Sequence, residues 1–294
     1  MTTAGRRLVA IGGGHGLAAT LRAARTLTDE VVAIVSVADD GGSSGRLRST
    51  DAHPAPGDLR KAVAALAAPG SMLAEALEHR FEGGELEGHA FGNLLITAIG
   101  SAAGDPVAGL DEVVRLTGGA GRVVPATLEG VVLTATTHSG DEVTGQVNVM
   151  ATSGIHTVRL DPVDPEVPKA AIEAVERADL LVLGPGSLFT SVLAAVAAPA
   201  LRDALASAPA PLVYVCNLHP QPGESEGLSV ADHVEALARH GITPDVVLFY
   251  PDQIGAADGV AGAAPASLAS DNGSAHDPSL LAAALGRLIG ASDG

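Results

Sequence analysis

Tryptophan is absent from this 294-residue chain, aromatic residues make up 2% of it, and cysteine occurs once. So few rings leave no stacking platform for single-stranded nucleic acid. A lone Cys216 permits neither an internal disulfide nor a cysteine-built metal cluster, which fits a reducing compartment. Basic residues are scarce too: 17 Lys and Arg face 34 Asp and Glu, a formal charge of −17. That balance argues against a surface that tracks nucleic-acid phosphates or anionic membranes. Lysine occurs only at Lys61 and Lys169, neither inside a GxxxxGK(S/T) loop, which excludes a P-loop ATPase. No apolar run is long enough to span a membrane, and the one near the N-terminus is too short for a signal peptide. A cytoplasmic protein without membrane insertion is the expectation. The 10 histidines form no HExxH or HxH pair, so a dedicated zinc site is not indicated.

What is abundant is glycine, 36 residues, and it falls where strands end. Leu8 to Ile11 is a short apolar run suited to a central parallel strand, and from Gly16 the apolar spacing at Leu17, Leu21, Ala24 and Leu27 is helical. Gly12, Gly13, Gly14 and Gly16, with His15 between the last two, therefore occupy a strand-to-helix turn. Unpaired amides and a positive dipole end there, without Cβ atoms in the way, suit a phosphate or diphosphate. A tight turn alone would also explain these glycines. The spacing is not the dinucleotide fingerprint, because Leu17 takes the third glycine's place.

Val31 to Ala38 reads as a second buried strand, ending in Asp39, Asp40 and Gly41. At the carboxyl end of a strand both carboxylates are expected to face the crevice, to hold a ribose or a hydrated cation; an Asp-Gly turn is the plainer alternative. Ser43 to Pro56 reads as a loop carrying Arg46, Arg48 and His53, followed by a helix from Leu59 to Leu66 with Asp58 as its N-cap. Helical patterns at Ser71 to Arg80 and Phe91 to Ser101 follow, the second introduced by His89 and Asn93, four residues apart. Residues Leu128 to Leu160 alternate around Ser139-Gly140-Asp141 and predict an antiparallel β insertion. A helix over Pro165 to Arg177 and a strand over Leu180 to Leu183 come next. That strand runs into Gly184, Pro185, Gly186, Ser187, Thr190 and Ser191, a second strand-glycine-helix junction and a second expected anion site.

A strand over Pro211 to Cys216 leads to the polar loop Asn217 to Gly227, where Asn217, Gln221 and Glu224 offer groups for a base or sugar edge. Cys216 itself reads as a buried core thiol. A helix over Val230 to Arg239, a strand over Val246 to Phe249, a loop over Ala256 to Gly273 and a closing helix capped by Asp277 complete the chain. The alternation predicts one α/β unit over 1–294: a Rossmann-like, doubly wound, mostly parallel sheet with helices on both faces and a β insertion around 128–160.

IGGGHG at Ile11 to Gly16, VADDGGSSGRLR at Val37 to Arg48, PGDLRKAVAALA at Pro56 to Ala67, GHAFGNLL at Gly88 to Leu95, LGPGSLFTSVL at Leu183 to Leu193, VYVCNLHPQPGESEG at Val213 to Gly227 and VADHVEAL at Val230 to Leu237 together resemble the gluconeogenesis factor family. This is the YvcK-like (UPF0052) branch of the CofD-like superfamily, which also contains 2-phospho-L-lactate transferase. The chain departs from the family pattern at His15, where Thr is usual, and at Ala275, where a basic residue often precedes the His276-Asp277 pair. The resemblance implies a nucleotide-type ligand, a UDP-sugar such as UDP-N-acetylglucosamine or else NAD. It also implies a role in cell shape and in carbon flow to wall precursors during gluconeogenic growth, without implying a reaction. In this reading Gly12 to Gly16 and Gly184 to Thr190 cradle diphosphate, while Asp39, Asp40, Asn93 and Asn217 surround ribose, base or sugar. Homo-oligomers and regulatory protein partners are compatible with it. The alternative is a phospholactate-transferase-like enzyme in which Asp39 and Asp40, with Asp58 as a further candidate, hold Mg²⁺.

Overall fold

The computed structural model describes residues 5–48, 54–254 and 257–290. The first strand, β1 (Arg7–Gly12), is buried from Leu8 onward and feeds directly into α1 (Gly14–Ala24). β2 (Glu30–Val35) lies parallel to β1, with Gly12 opposite Val35. Then α2 (Gly42–Arg48) forms where a loop was expected, so Ser43, Ser44 and Arg46 sit on a helix; residues 49–53, His53 among them, lie outside the described residues. α3 (Pro56–Leu66) starts three residues before the expected Leu59. Its N-cap is Ala55 and Pro56 takes the first turn, which moves Asp58 from the cap into that turn.

α4 (Met72–Glu78) is capped by Ser71, and α5 (Phe91–Ala103) ends in a left-handed Gly104. Two elements that the sequence reading passed over come next: α6 (Pro106–Leu116), capped by Asp105, and β3 (Arg122–Pro125) at the sheet edge. The insertion is β4 (Val132–Thr137), β5 (Glu142–Thr144) and β6 (Ile155–Asp161), an antiparallel sheet in the order β5-β4-β6. Between β5 and β6 sits one more unforeseen element, the short α7 (Gln146–Met150).

The chain returns through α8 (Lys169–Glu176) to β7 (Leu180–Leu183), which pairs with β1 on the side away from β2. A π-helical turn over Leu188–Leu193 follows, then α9 (Pro199–Ser207), β8 (Leu212–Val215), α10 (Val230–Arg239), β9 (Val246–Phe249) and α11 (Pro251–Ile254). Within the stretch expected to be loop, β10 (Ala263–Pro265) extends the sheet, and α12 (Pro278–Gly290) closes the chain with Asp277 accepting from the Ser279 and Leu280 amides. The main sheet is parallel throughout, in the order β10-β9-β8-β7-β1-β2-β3. Strand order reverses between β1 and β7, and at such a point the loops leaving two neighbouring strands diverge and open a crevice. α1, α3 and α12 pack together on the sheet, as do α8 and α9.

Both glycine loops leave the sheet at this reversal, and they touch. Ile11 and Leu183 are register partners, and the Gly184 amide donates to the Ile11 carbonyl at 2.9 Å. A Cβ on Gly16 would overlap the Pro185 carbonyl oxygen. Gly16→Ala should therefore cost about 1–3 kcal/mol in urea denaturation, as overpacking does. Gly83→Ala, at extended backbone with open space around it, should stay within about 0.5 kcal/mol of the parent.

Candidate functional site

A cleft of about 350 Å³ opens over the contact between the two loops. Gly13, Gly14, His15 and Gly16 form one wall, Gly186, Ser187, Thr190 and Ser191 another, and Asp39, Asp58, Lys61, Gln146, Met150 and Gln221 the rest. A second cavity of about 670 Å³ adjoins it, sharing His15, Gly16, Gly186 and Gln221 and adding Asn217, His219 and His276. Both volumes lie in the range of small-molecule sites. The glycines differ in role. Gly16 serves loop packing, whereas Gly14 takes φ +66° with nothing within 4 Å of a would-be Cβ, leaving the first turn of α1 bare toward the cleft. Gly13 makes room for Asp58, whose Oδ2 would sit 2.5 Å from a Cβ there.

The three expected carboxylates are separated by the fold. Asp39 lines the cleft, its Oδ1 accepting from the Gly41 amide at 2.9 Å, and Gly57 leaves space for its other oxygen. Asp40 turns into the insertion instead: its Oδ2 and Oδ1 accept from the Gln146 and Val147 amides at 2.9 and 3.1 Å, capping α7. Asp58 pairs with Lys61 at 3.0 Å. The expectation of Asp39 and Asp40 as a pair facing one ligand is thus corrected, because the open amides of α7 capture the second carboxylate. Among the described residues no group of three or more His, Cys, Asp or Glu side chains is placed to hold a metal. The Mg²⁺ set of Asp39, Asp40 and Asp58 does not fit this arrangement.

Asn93 is likewise relocated. It is 3% exposed and joins three helices, its Oδ1 accepting from Arg60 Nε at 3.1 Å and its Nδ2 donating to Ser43 Oγ at 3.1 Å. His89 reaches the same Ser43 hydroxyl through Nδ1 at 3.1 Å, although it precedes α5 and shares no helical face with Asn93. Arg60 also pairs with Glu78, and Gly92 is where a Cβ would meet the Arg60 side chain. The half-buried GHAFGN stretch fastens α2 to α3 through Asn93, and none of its residues lines the cleft.

The second junction is closed from within. Glu224, 2% exposed, accepts at Oε2 from the Thr190 amide at 3.2 Å, with Phe189 and Leu188 amides also turned to its carboxylate. A side chain of the protein thus fills the place where a second phosphate was expected. Gly186 is engaged too, its amide donating to Asn217 Oδ1 at 3.0 Å, and Gln146 Nε2 donates to the Thr190 carbonyl. Asn217 Nδ2, Gln221 Oε1 and Glu224 Oε1 are buried with no partner among the described residues. Two of these, Asn217 and Gln221, belong to side chains that line the adjoining cavity.

Burial dominates the titrations around the cleft. It raises Glu224 to about 7, opposed by the hydrogen bonds at Thr190, and lowers His276 to about 4, opposed by the bond its Nε2 donates to the Cys216 carbonyl. Behind the site Cys216 is raised to about 12 by burial, within reach of His233, whose Nδ1 lies 2.8 Å from the Tyr214 hydroxyl. Cys216 is the inert core thiol that its place in the sequence suggested. Sequence reasoning missed Lys61, Gln146 and Met150 as cleft residues. Only Lys61 carried a usable signal, as one of two lysines in an acidic chain, three residues after Asp58.

Glu224 gives a signed prediction. Its folded value lies above its ordinary one, so its ionisation penalises the fold as pH rises from about 4.5 to 7. In urea denaturation the isosteric Glu224→Gln should gain on the parent by up to about 3 kcal/mol between those limits. A difference that does not change with pH would show that this carboxyl titrates normally.

Residues 8–260 match the family model of 2-phospho-L-lactate transferase CofD. A Mycobacterium tuberculosis protein is 48% identical over 246 residues, covering 79% of this chain and 72% of its own length. The protein named gluconeogenesis factor from Halalkalibacterium halodurans is 39% identical over 248 residues, covering 83% and 77%. A crystal structure of a UPF0052-family protein from Bacillus halodurans superposes with a TM-score of 0.89 at 33% identity, over 95% of this chain and 98% of that one. This chain belongs to the CofD family, in its gluconeogenesis factor branch.

Proposed function

We propose that this chain is a ligand-sensing regulatory protein of the cytoplasm that binds a UDP-sugar, such as UDP-N-acetylglucosamine, or NAD. Through that ligand it adjusts carbon flow to wall precursors, and with it cell shape, during gluconeogenic growth. One observation carries the ligand class: the crevice at the β1/β7 strand-order reversal, where the bare first turn of α1 faces a cleft beside Lys61. Amides of Gly14, His15 and Gly16 at a helix start suit a diphosphate, and Lys61 adds one charge-assisted contact. Ser187 and Ser191 offer hydroxyls from the opposite wall. The adjoining cavity has room for a nucleoside or sugar, with Asn217 and Gln221 as its polar contacts. The carboxylates support the sensor reading over phosphoryl transfer: Asp40 is committed to the α7 amides and Asp58 to Lys61.

Isothermal titration with UDP-N-acetylglucosamine, UDP-glucose, NAD and GDP, each with and without Mg²⁺, tests this. The expected result is UDP-sugar binding that is indifferent to metal, weakened about tenfold by Lys61→Gln, which keeps a hydrogen bond to Asp58 but removes the charge. Binding of GDP alone, and only with Mg²⁺, would contradict it.

A further inference from the structure

The charges around the cleft do not balance an anionic guest. Asp39 and Asp58 line it against a single ammonium, Lys61, already paired with Asp58 at 3.0 Å. A diphosphate adds two or more negative charges to a site whose fixed side chains sum to a negative value, inside a chain of formal charge −17. Helix amides offset part of this, and the remainder needs a cation. Arg22 borders the adjoining cavity rather than the cleft itself, so a cation at the cleft comes from solution, as a metal, or from a side chain that gains a proton on binding.

His15 is the side chain so placed. It stands in the first turn of α1 and borders both cavities, at the line where the cleft opens into its neighbour. The groups that face it are Asp58, Arg60 and Lys61 from α3, Glu78 from α4, Asp39 from the loop after β2, Arg22 from α1, and His219 and His276 across the adjoining cavity. Burial, then Lys61, lowers its imidazole below the ordinary range in the free protein, which favours the neutral form. His276 is deeper and donates to the Cys216 carbonyl, while His219 Nε2 is tied to the Gly273 carbonyl at 2.9 Å. Glu224 titrates near neutrality but is sealed behind the 188–193 turn.

Resting on the reading of this crevice as a diphosphate site, we propose that His15 takes up a proton when the anion binds and supplies the missing positive charge, making ligand affinity proton-linked. The step is a plain protonation: the imidazole nitrogen gains a proton from buffer, and the imidazolium pairs with a phosphate oxygen. Because the bound form carries the extra proton, affinity rises as pH falls, by at most about tenfold per pH unit between the free and bound values of His15.

The test is titration of UDP-N-acetylglucosamine into the full chain from about pH 6 to pH 8, in buffers of differing ionisation enthalpy, so that the heat reports protons exchanged. The parent protein should take up a fraction of a proton, largest midway between the free and bound values of His15 and falling off on either side. His15→Thr and His15→Gln should bind with little proton uptake and a flatter pH profile, and match the parent near pH 8. Glu224→Gln should leave the uptake in place. Buffer-independent heats in the parent, or uptake that survives both His15 substitutions, overturn the proposal while the diphosphate site stands. No binding heat at any pH, with thermal unfolding showing folded protein, overturns the site and the proposal together.

Discussion

Two stretches of backbone meet at the strand-order reversal, and they meet because neither carries a side chain there. Gly184 donates into the end of β1, and Gly16 lies flat against the Pro185 carbonyl. This fixes the distance between α1 and the 188–193 turn, and so the width of the cleft between them. The hydrophobic effect supplies the stability, through strands β1 and β7 whose side chains are almost wholly excluded from water. The glycines decide what shape that stability holds. Side chains at these positions would push the loops apart and close or tilt the crevice.

The polar groups behind the loops do a second job, which is to keep the walls from relaxing. Asp40 ties the insertion to the end of β2 through α7, and Glu224 ties the loop after β8 to the 188–193 turn. The Glu224 amide in turn donates to the Met150 carbonyl, so insertion, turn and loop form one ring around the cleft. Asn93 and Arg60 brace α2 and α3 from the other side. A buried carboxylate without a cation is an expensive brace, and Glu224 lowers that cost by holding its proton up to about 7.

Much of this architecture is legible in the residues, and the exceptions have physical reasons. Apolar runs such as Leu8 to Ile11 and Leu180 to Leu183 can only be buried strands beside glycine turns. β3 is four residues long and α7 five, too short for periodicity to show, and α2 is mostly Gly and Ser with two Arg and a single Leu, which reads as loop by propensity. Cleft membership was legible for Gly14, His15 and Gln221, because it follows from strand ends. The direction of a side chain is not written locally. Asp39 and Asp40 are adjacent in sequence, and only the arrival of α7, more than a hundred residues later, sends one into the cleft and the other into a helix cap. Glu224 had the same ambiguity. As a polar residue in a polar loop it reads as a ligand group, and the fold uses it as an internal acceptor for the Thr190 amide.

The account turns on where an anion sits relative to the two loops. A crystal structure of the protein with UDP-N-acetylglucosamine tests that most directly. Diphosphate oxygens within about 3 Å of the Gly14 to Gly16 amides, with Glu224 still at the Thr190 amide, are the predicted result. A diphosphate bound away from α1, or one that has displaced Glu224 from the 188–193 turn, would contradict it.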